Sequence, residues 1–276
     1  MKAIVLAGGG GTRLWPVSTQ NKPKQLHKLI GDTSLLEGTI QRIRPVFGDE
    51  NIIIATGASH GDAVASSFAG SNIRVIIEPQ RRDTLGAIGV AVALIAREDP
   101  NESFVVINSD AHVLDVEEYR SVLKKLESIV NTFSDQLLLV GLRPSHPETG
   151  YGYIEFGEPV SVGEHVVHRV KQFKEKPDLD TAKDYLRSGN FLWNPTMVSG
   201  TAKKFLNSVC KYEPEVYRSL SRLIDAEDFD ASLEEAFEQM PRQTVDYGVL
   251  ERETDMLVLP AEFGWTDIGN PMVHIM

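Results

Sequence analysis

The sequence predicts an α/β fold, Rossmann-like in its three α/β/α layers, with a mixed, mainly parallel central sheet. Three observations carry that reading. Strand-like and helix-like segments alternate from residue 2 to about 142, the order that lays parallel strands side by side with helices over both faces. The strand-like runs, such as residues 3–7 and 104–108, are apolar throughout, as strands covered on both faces are. The first of them empties into four glycines, Gly8, Gly9, Gly10 and Gly11, where the chain can turn sharply and let a ligand approach its backbone.

Taken in order, residues 3–7 have the length and β-branched content of a buried strand. Ser34-Leu-Leu-Glu37 has the form of a capping box, with Leu35, Leu36, Ile40, Ile43 and Phe47 following at helical spacing. Residues 51–56 form a second strand, a helix-like stretch follows around 62–68, and residues 73–77 form a third strand that Glu78-Pro79 ends. An Ala-rich apolar helix (85–97), a fourth strand (104–108), an amphipathic helix (116–133) and a fifth strand (137–142) complete the regular half. The second half is looser. Residues 151–156 and 166–173 are expected as antiparallel strands, 178–187 as a helix, 190–197 as strand-like and 201–239 as helical segments. The acidic cluster at 225–238 reads as a solvated helix face. With no linker or repeat in view, one domain is expected over residues 1–276. Ligands of such sheets sit outside the carboxyl ends of the strands, so Gly8, Glu78 and Asp110 are expected to converge on one crevice.

The formal charge of −11 argues against a nucleic-acid partner, which a basic surface would serve. Cys210, the one cysteine, cannot form an internal disulfide and fits a reducing compartment. The apolar run after Lys2 is too short for a signal peptide, and no stretch has the length to cross a bilayer. The expectation is a cytoplasmic protein with no membrane partner. Against this acidic background, residues 1–31 hold five Lys/Arg and no Asp or Glu. Glycine-loop N–H groups with Arg13, Lys22 and Lys24 close behind describe an anion site for phosphates. The P-loop pattern is not met, because no Lys-Ser/Thr follows the glycines. The dinucleotide fingerprint fits only in part, with Arg13 where a small residue should pack. A purely structural glycine turn stays open on the loop alone.

The wider pattern narrows these alternatives. L-A-G-G-G-G-T-R-L-W-P followed by K-P-K-Q resembles the signature of sugar-1-phosphate nucleotidylyltransferases. Its Trp-Pro and terminal Gln resemble the branch that makes GDP-mannose, the mannose-1-phosphate guanylyltransferases. E-P-Q-R-R-D-T, T-G-Y-G-Y-I, F-K-E-K-P, G-N-F-L-W-N, T-V-D-Y-G-V-L and G-W-T-D-I-G follow in that family's order. The resemblance implies a nucleotidyltransferase fold whose first half, to about residue 142, binds nucleotide and whose second half binds sugar phosphate. It implies GTP and mannose 1-phosphate as substrates and a divalent cation, Mg²⁺, as cofactor; another nucleotide or hexose 1-phosphate is the alternative, and a homodimer is left open.

Residue by residue, the resemblance assigns Arg13 and Lys24 to catalysis on the triphosphate. Leu6, Ala7, the four glycines and Thr12, with Glu78, Pro79, Arg82, Asp83, Thr84 and Ser109, are expected to bind the nucleotide. Gly152, Tyr153, Glu175, Lys176, Asn190 and Asp246 are expected to bind the sugar phosphate, and Asp110 and Asp267 the metal. Trp193 and Trp265 are expected as packing supports. The chain departs from the family at Asp83 for Asn, Leu85-Gly86 for Ala-Pro, Ala111 before His112, and Pro195-Thr196 for Ser-Gly. Many relatives continue into a left-handed β-helix, and none is expected within these residues.

Overall fold

A computed structural model of the chain describes residues 1–8, 27 and 33–268. Four strands, β1 (Lys2–Leu6), β2 (Ile52–Gly57), β3 (Arg74–Glu78) and β4 (Ser103–Asn108), pair in parallel in the order β3-β2-β1-β4. Between them run α1 (Leu35–Phe47), α2 (Ala58–Ser67) and α3 (Asp83–Glu98). A short strand, β5 (Ala111–Val113), leads into α4 (Val116–Thr132) and β6 (Leu137–Leu142). The capping box is present: Glu37 N–H donates to Ser34 Oγ while Ser34 N–H donates to the Glu37 carboxylate.

The second half adds β7 (Gly152–Val162) and β8 (His165–Lys174), an antiparallel pair, then α5 (Leu179–Ser188), β9 (Phe191–Asn194) and β10 (Val198–Thr201). Helices α6 (Ala202–Tyr212), α7 (Pro214–Asp225) and α8 (Leu233–Gln239) precede a π-helical turn at Asp246–Leu250, β11 (Met256–Ala261) and β12 (Trp265–Asp267). Strand β10 pairs antiparallel with both β4 and β6, joining the two halves into one ten-stranded mixed sheet. Strand β11 returns to lie parallel to β6, so β6, β9, β7, β8 and β11 form a closed circuit of neighbours.

Both faces of the sheet are covered over its central strands β1, β2 and β4, and this is why these strands are largely apolar along their whole length. Ile4, Ile53 and Val106 point into a core shared with α3, α6, α7 and α8. Their chain neighbours Ala3, Val5, Ile54 and Val105 point into the opposite core under α1 and α4. Helix α3 packs close against α7, because a Cβ at Gly89 would stand 2.8 Å from Leu220 Cδ1.

Two expectations need correcting. The strand-like run 190–197 is broken at Pro195-Thr196: proline cannot donate to a ladder, and Thr196 turns at φ 61°, so β9 and β10 separate. The segment 225–238 is only partly helical; α8 begins at Leu233, after turns in which Asp230 pairs with Arg74. Strands β5 and β12 lie beyond the sequence reading as well. They form a separate two-stranded ladder, Asp267 opposite Ala111 and Trp265 opposite Val113.

Candidate active site

The carboxyl ends of β1, β3 and β4 open onto a crevice of about 330 Å³. Gly8, Glu78 and Asp110 all line it, which is the convergence that the strand order requires. Glu78 ends β3 and is 7% exposed. A Cβ on Gly8 would stand 3.4 Å from its Oε1, so the glycine leaves the space above this carboxyl clear. Burial pushes the Glu78 pKa up to about 7, with the charge of Arg81 opposing the shift and that of Asp83 adding to it.

Of the two arginines in E-P-Q-R-R-D-T, the first reaches the crevice. Arg81 lines it and donates from Nη2 to the Gly8 carbonyl at 3.3 Å. Arg82 does not line it. Its guanidinium donates to the Phe237 carbonyl at 2.6 Å and the Glu238 carbonyl at 3.1 Å, pinning α8 to the start of α3. Asp83 lines the crevice at φ 58°, its carboxylate held by Arg242 at 2.5 and 3.3 Å. Segment 242–245 fixes this turn: Gln243 N–H donates to Arg82 O, Leu85 N–H to Gln243 O and Val245 N–H to Thr84 Oγ1. Thr84 and Leu6 line the crevice. Pro79 lies outside that lining, and so does the buried Ala7, whose N–H bonds Ala55 O at 2.8 Å.

Ser109 ties β4 to β1, donating from Oγ to Leu6 O at 2.7 Å. The next residue, Asp110, meets the end of β12, where Ile268 N–H donates to Asp110 O at 3.4 Å. The β5–β12 ladder thus brings Asp267 beside Asp110 across more than 150 residues of chain, and both line the crevice. Trp265 lines it too, edge-on to the Tyr151 ring at 5.2 Å, whereas Trp193 is buried.

The opening residues of β7 and the end of β9 supply a second group. Gly152 lies opposite Asn194, and a Cβ there would stand 2.6 Å from Glu175 Oε2. The glycine is what admits the buried Glu175 carboxylate. Glu175 pairs with Lys176, which takes φ 45°, and its N–H donates to Glu251 Oε1 at 2.9 Å. Asp246 sits behind this lining and accepts from Asn194 Nδ2 at 3.2 Å. Burial raises its pKa well above the usual carboxylate range, the neighbouring Glu175 charge adding to the effect and Lys176 opposing it.

Besides Asp246, two more of the expected sugar residues lie outside the crevice lining. Tyr153 is wholly buried, its hydroxyl donating to Glu148 O at 2.9 Å. Asn190 donates to Glu155 Oε1 at 3.0 Å and lies outside the lining. Conversely, Asn108 lines the crevice without having been singled out, and Asn194 and Thr196, noted in the sequence only within a family motif and as a departure from it, line it too. Arg13, Lys24, Gly9, Gly10, Gly11 and Thr12 fall outside the described residues.

Among the described residues, carboxylates outnumber cations along the crevice: Glu78, Asp83, Asp110, Glu175 and Asp267 against Arg81 and Lys176. The Asp110–Asp267 pair is a donor set of hard oxygens, and no group of three or more His, Cys, Asp or Glu among the described residues forms a closed metal cage. Such a half-set fits Mg²⁺, which keeps several waters and shares its remaining positions with substrate phosphates.

Comparison with known proteins agrees with this geometry. The family model described as Nucleotidyl transferase matches residues 2–273. Over 278 residues the chain is 36% identical to a mannose-1-phosphate guanylyltransferase of Escherichia coli strain K12, covering 97% of this chain and 57% of that protein. It is 33% identical to the xanthan biosynthesis protein XanB of Xanthomonas campestris, with the same shares of each chain covered. The chain therefore spans a little over half the length of these curated relatives. A solved structure described as mannose-1-phosphate geranyltransferase from Thermus thermophilus superposes with a TM-score of 0.88 at 33% identity, covering 98% of this chain and 76% of that one. By the family match and by the elements that carry its site, this chain belongs to the Nucleotidyl transferase family.

Proposed function

We propose that the chain transfers a guanylyl group from GTP to mannose 1-phosphate, releasing GDP-mannose and pyrophosphate. The observation that carries this reading is that Asp110 and Asp267, Glu175 and Lys176, and the end of β1 at Gly8 all open into one crevice. The names of the E. coli relative and the Thermus structure supply mannose 1-phosphate, and the first supplies the guanylyl group.

The chemistry asks little of a general base. A phosphate oxygen of the sugar 1-phosphate is already an anionic nucleophile; it forms a bond to the α-phosphorus of GTP while the bond from that phosphorus to the pyrophosphate oxygen breaks. The barrier lies in bringing two polyanions together and in stabilising charge on the transferring phosphoryl group. Arg13 and Lys24 are assigned the triphosphate and the leaving pyrophosphate. Lys176 is assigned the sugar phosphate, and the buried Glu175 carboxylate accepts from sugar hydroxyls. Asp110 and Asp267 would hold Mg²⁺, which when bound neutralises phosphate charge. Glu78, Arg81 and Asp83 are left for the nucleoside, with the Gly8 backbone beside them. GTP as a substrate suits a cytoplasmic setting.

A pyrophosphate-release assay with GTP, UTP, dTTP and ATP, each against mannose 1-phosphate and Mg²⁺, tests the proposal. Release that requires mannose 1-phosphate and is strongest with GTP supports it. A preference for UTP over GTP overturns the guanylyl assignment. No release with any pair points instead to a homologue that binds nucleotide-sugar without making it.

A further inference from the structure

Among the described residues, three that are not glycine hold a positive φ: Asp83 at 58°, Lys176 at 45° and Thr196 at 61°. All three line the one crevice. For a β-branched residue this region is a true outlier, because both Cβ substituents crowd the backbone. Such strain persists only where the surroundings over-determine it, and it clusters at functional sites. Asp83 is held by Arg242 and Lys176 is paired with Glu175. Among the described residues, Thr196 has no such side-chain partner.

The surroundings of Thr196 fix its backbone from two sides. Its N–H donates to Asn194 Oδ1 at 3.0 Å, and Asn194 donates in turn to the buried Asp246. The neighbouring Pro195 carbonyl accepts from Asn108 Nδ2 at 3.2 Å, tying the turn to the end of β4 just before Asp110. Thr196 is therefore anchored both to the Asp246 and Glu175 group and to the corner that carries Asp110. Pro195 and Met197 are buried, and Thr196 between them is the half-buried residue that opens to the crevice. Among the described residues nothing bonds its hydroxyl. Glycine would hold the same φ without strain. What threonine adds is one hydroxyl and one methyl at the crevice wall.

We propose that Thr196 is a specificity-determining residue for the hexose ring: its hydroxyl hydrogen-bonds a ring hydroxyl, and its methyl excludes a bulkier ring substituent such as N-acetyl. This rests on the sugar 1-phosphate reading given above. Thr196→Val keeps the branching and the strained backbone while removing the hydroxyl; Thr196→Gly removes both groups and relieves the strain. The KM for mannose 1-phosphate rises about tenfold in both variants, the effect of one lost hydrogen bond, while the KM for GTP stays within about twofold. Only Thr196→Gly gains kcat/KM for N-acetylglucosamine 1-phosphate, by about tenfold, and its Tm does not fall below wild type. An unchanged sugar KM in Thr196→Val, an equal rise in both KM values, or no gain on the N-acetyl substrate in Thr196→Gly overturns the proposal. If the wild type turns over no sugar 1-phosphate, the proposed reaction fails separately. Calorimetric titration of mannose 1-phosphate then reads Thr196 alone: about tenfold weaker binding in Thr196→Val supports its role, and equal or undetectable binding in the wild type and variant overturns it.

Discussion

Glu78→Gln isolates one carboxyl and gives a pH-dependent result. Glu78 lies at the end of β3, 7% exposed on the crevice wall, and burial holds its pKa at about 7 against 4.5 for the free side chain. Between those values the folded chain binds a proton that the unfolded chain has lost. Folding stability therefore falls as pH rises through this interval, and the loss is complete above about pH 7. At about 1.4 kcal/mol per pH unit, the wild type forfeits roughly 3 kcal/mol that a glutamine, which cannot ionise, retains. Glu78→Gln should thus match the wild type near the pH where the carboxyl is protonated in both states, and exceed it at pH 8. Since about 1 kcal/mol moves the Tm of a chain this size by a few degrees, the gain at pH 8 is roughly 5–10 °C. Thermal or urea unfolding of both proteins without nucleotide, from pH 4.5 to 8, measures it. A difference that stays flat with pH would refute the reasoning, because a flat difference is a packing effect and not a titration.

Five further variants test the geometry. Asp110→Asn and Asp267→Asn should each lower kcat by about a thousandfold, roughly 4 kcal/mol of transition-state stabilisation, with the Tm nearly unchanged, since each removes metal-binding charge and no core volume; near-wild-type rates by pyrophosphate release would rule out the metal role. Gly152→Ala would drive a Cβ to 2.6 Å from Glu175 Oε2 and 3.1 Å from Phe173 Cζ. It should destabilise by roughly 1–3 kcal/mol and raise the KM for mannose 1-phosphate more than that for GTP, and an unfolding curve and KM pair like the wild type would contradict the placement of Glu175. Arg82→Ala loses the bonds to Phe237 and Glu238 and should cost roughly 1–3 kcal/mol of stability with little change in GTP affinity. Arg81→Ala should do the reverse, and denaturant melts beside nucleotide titrations decide between the two.

What the sequence disclosed depended on how much chain each feature occupies. The parallel half shows itself because each strand and helix is long enough to establish a period, and Ser34-Leu-Leu-Glu37 marks the start of α1 with a reciprocal pair of bonds. The crevice was legible for the same reason: strand order alone brings the ends of β1, β3 and β4 together. The β5–β12 ladder was not, since three residues on each side are too few to display alternation. That ladder is nevertheless what seats Asp267 beside Asp110, so the proposal of these two as a metal pair had to come from family resemblance. In E-P-Q-R-R-D-T the adjacent arginines point different ways, Arg81 to the crevice and Arg82 to the carbonyls of α8. Nothing in the local pattern distinguishes them, because the partners of Arg82 lie about 155 residues away. Tyr153 follows Gly152 on β7, so its side chain leaves the sheet on the other face and joins the core. The break at Pro195-Thr196 is visible as a departure from the family, but its positive φ is not.

One measurement bears most directly on the claim that a single crevice holds both substrates. It is a crystal structure of this chain with GDP-mannose and Mg²⁺ bound. The guanosine is expected beside Gly8, Glu78 and Arg81, the mannosyl phosphate at Glu175, Lys176 and Thr196, and the metal between Asp110 and Asp267. GDP-mannose bound elsewhere, or bound in the crevice with its sugar on the Glu78 side and its base at Lys176, would contradict this arrangement.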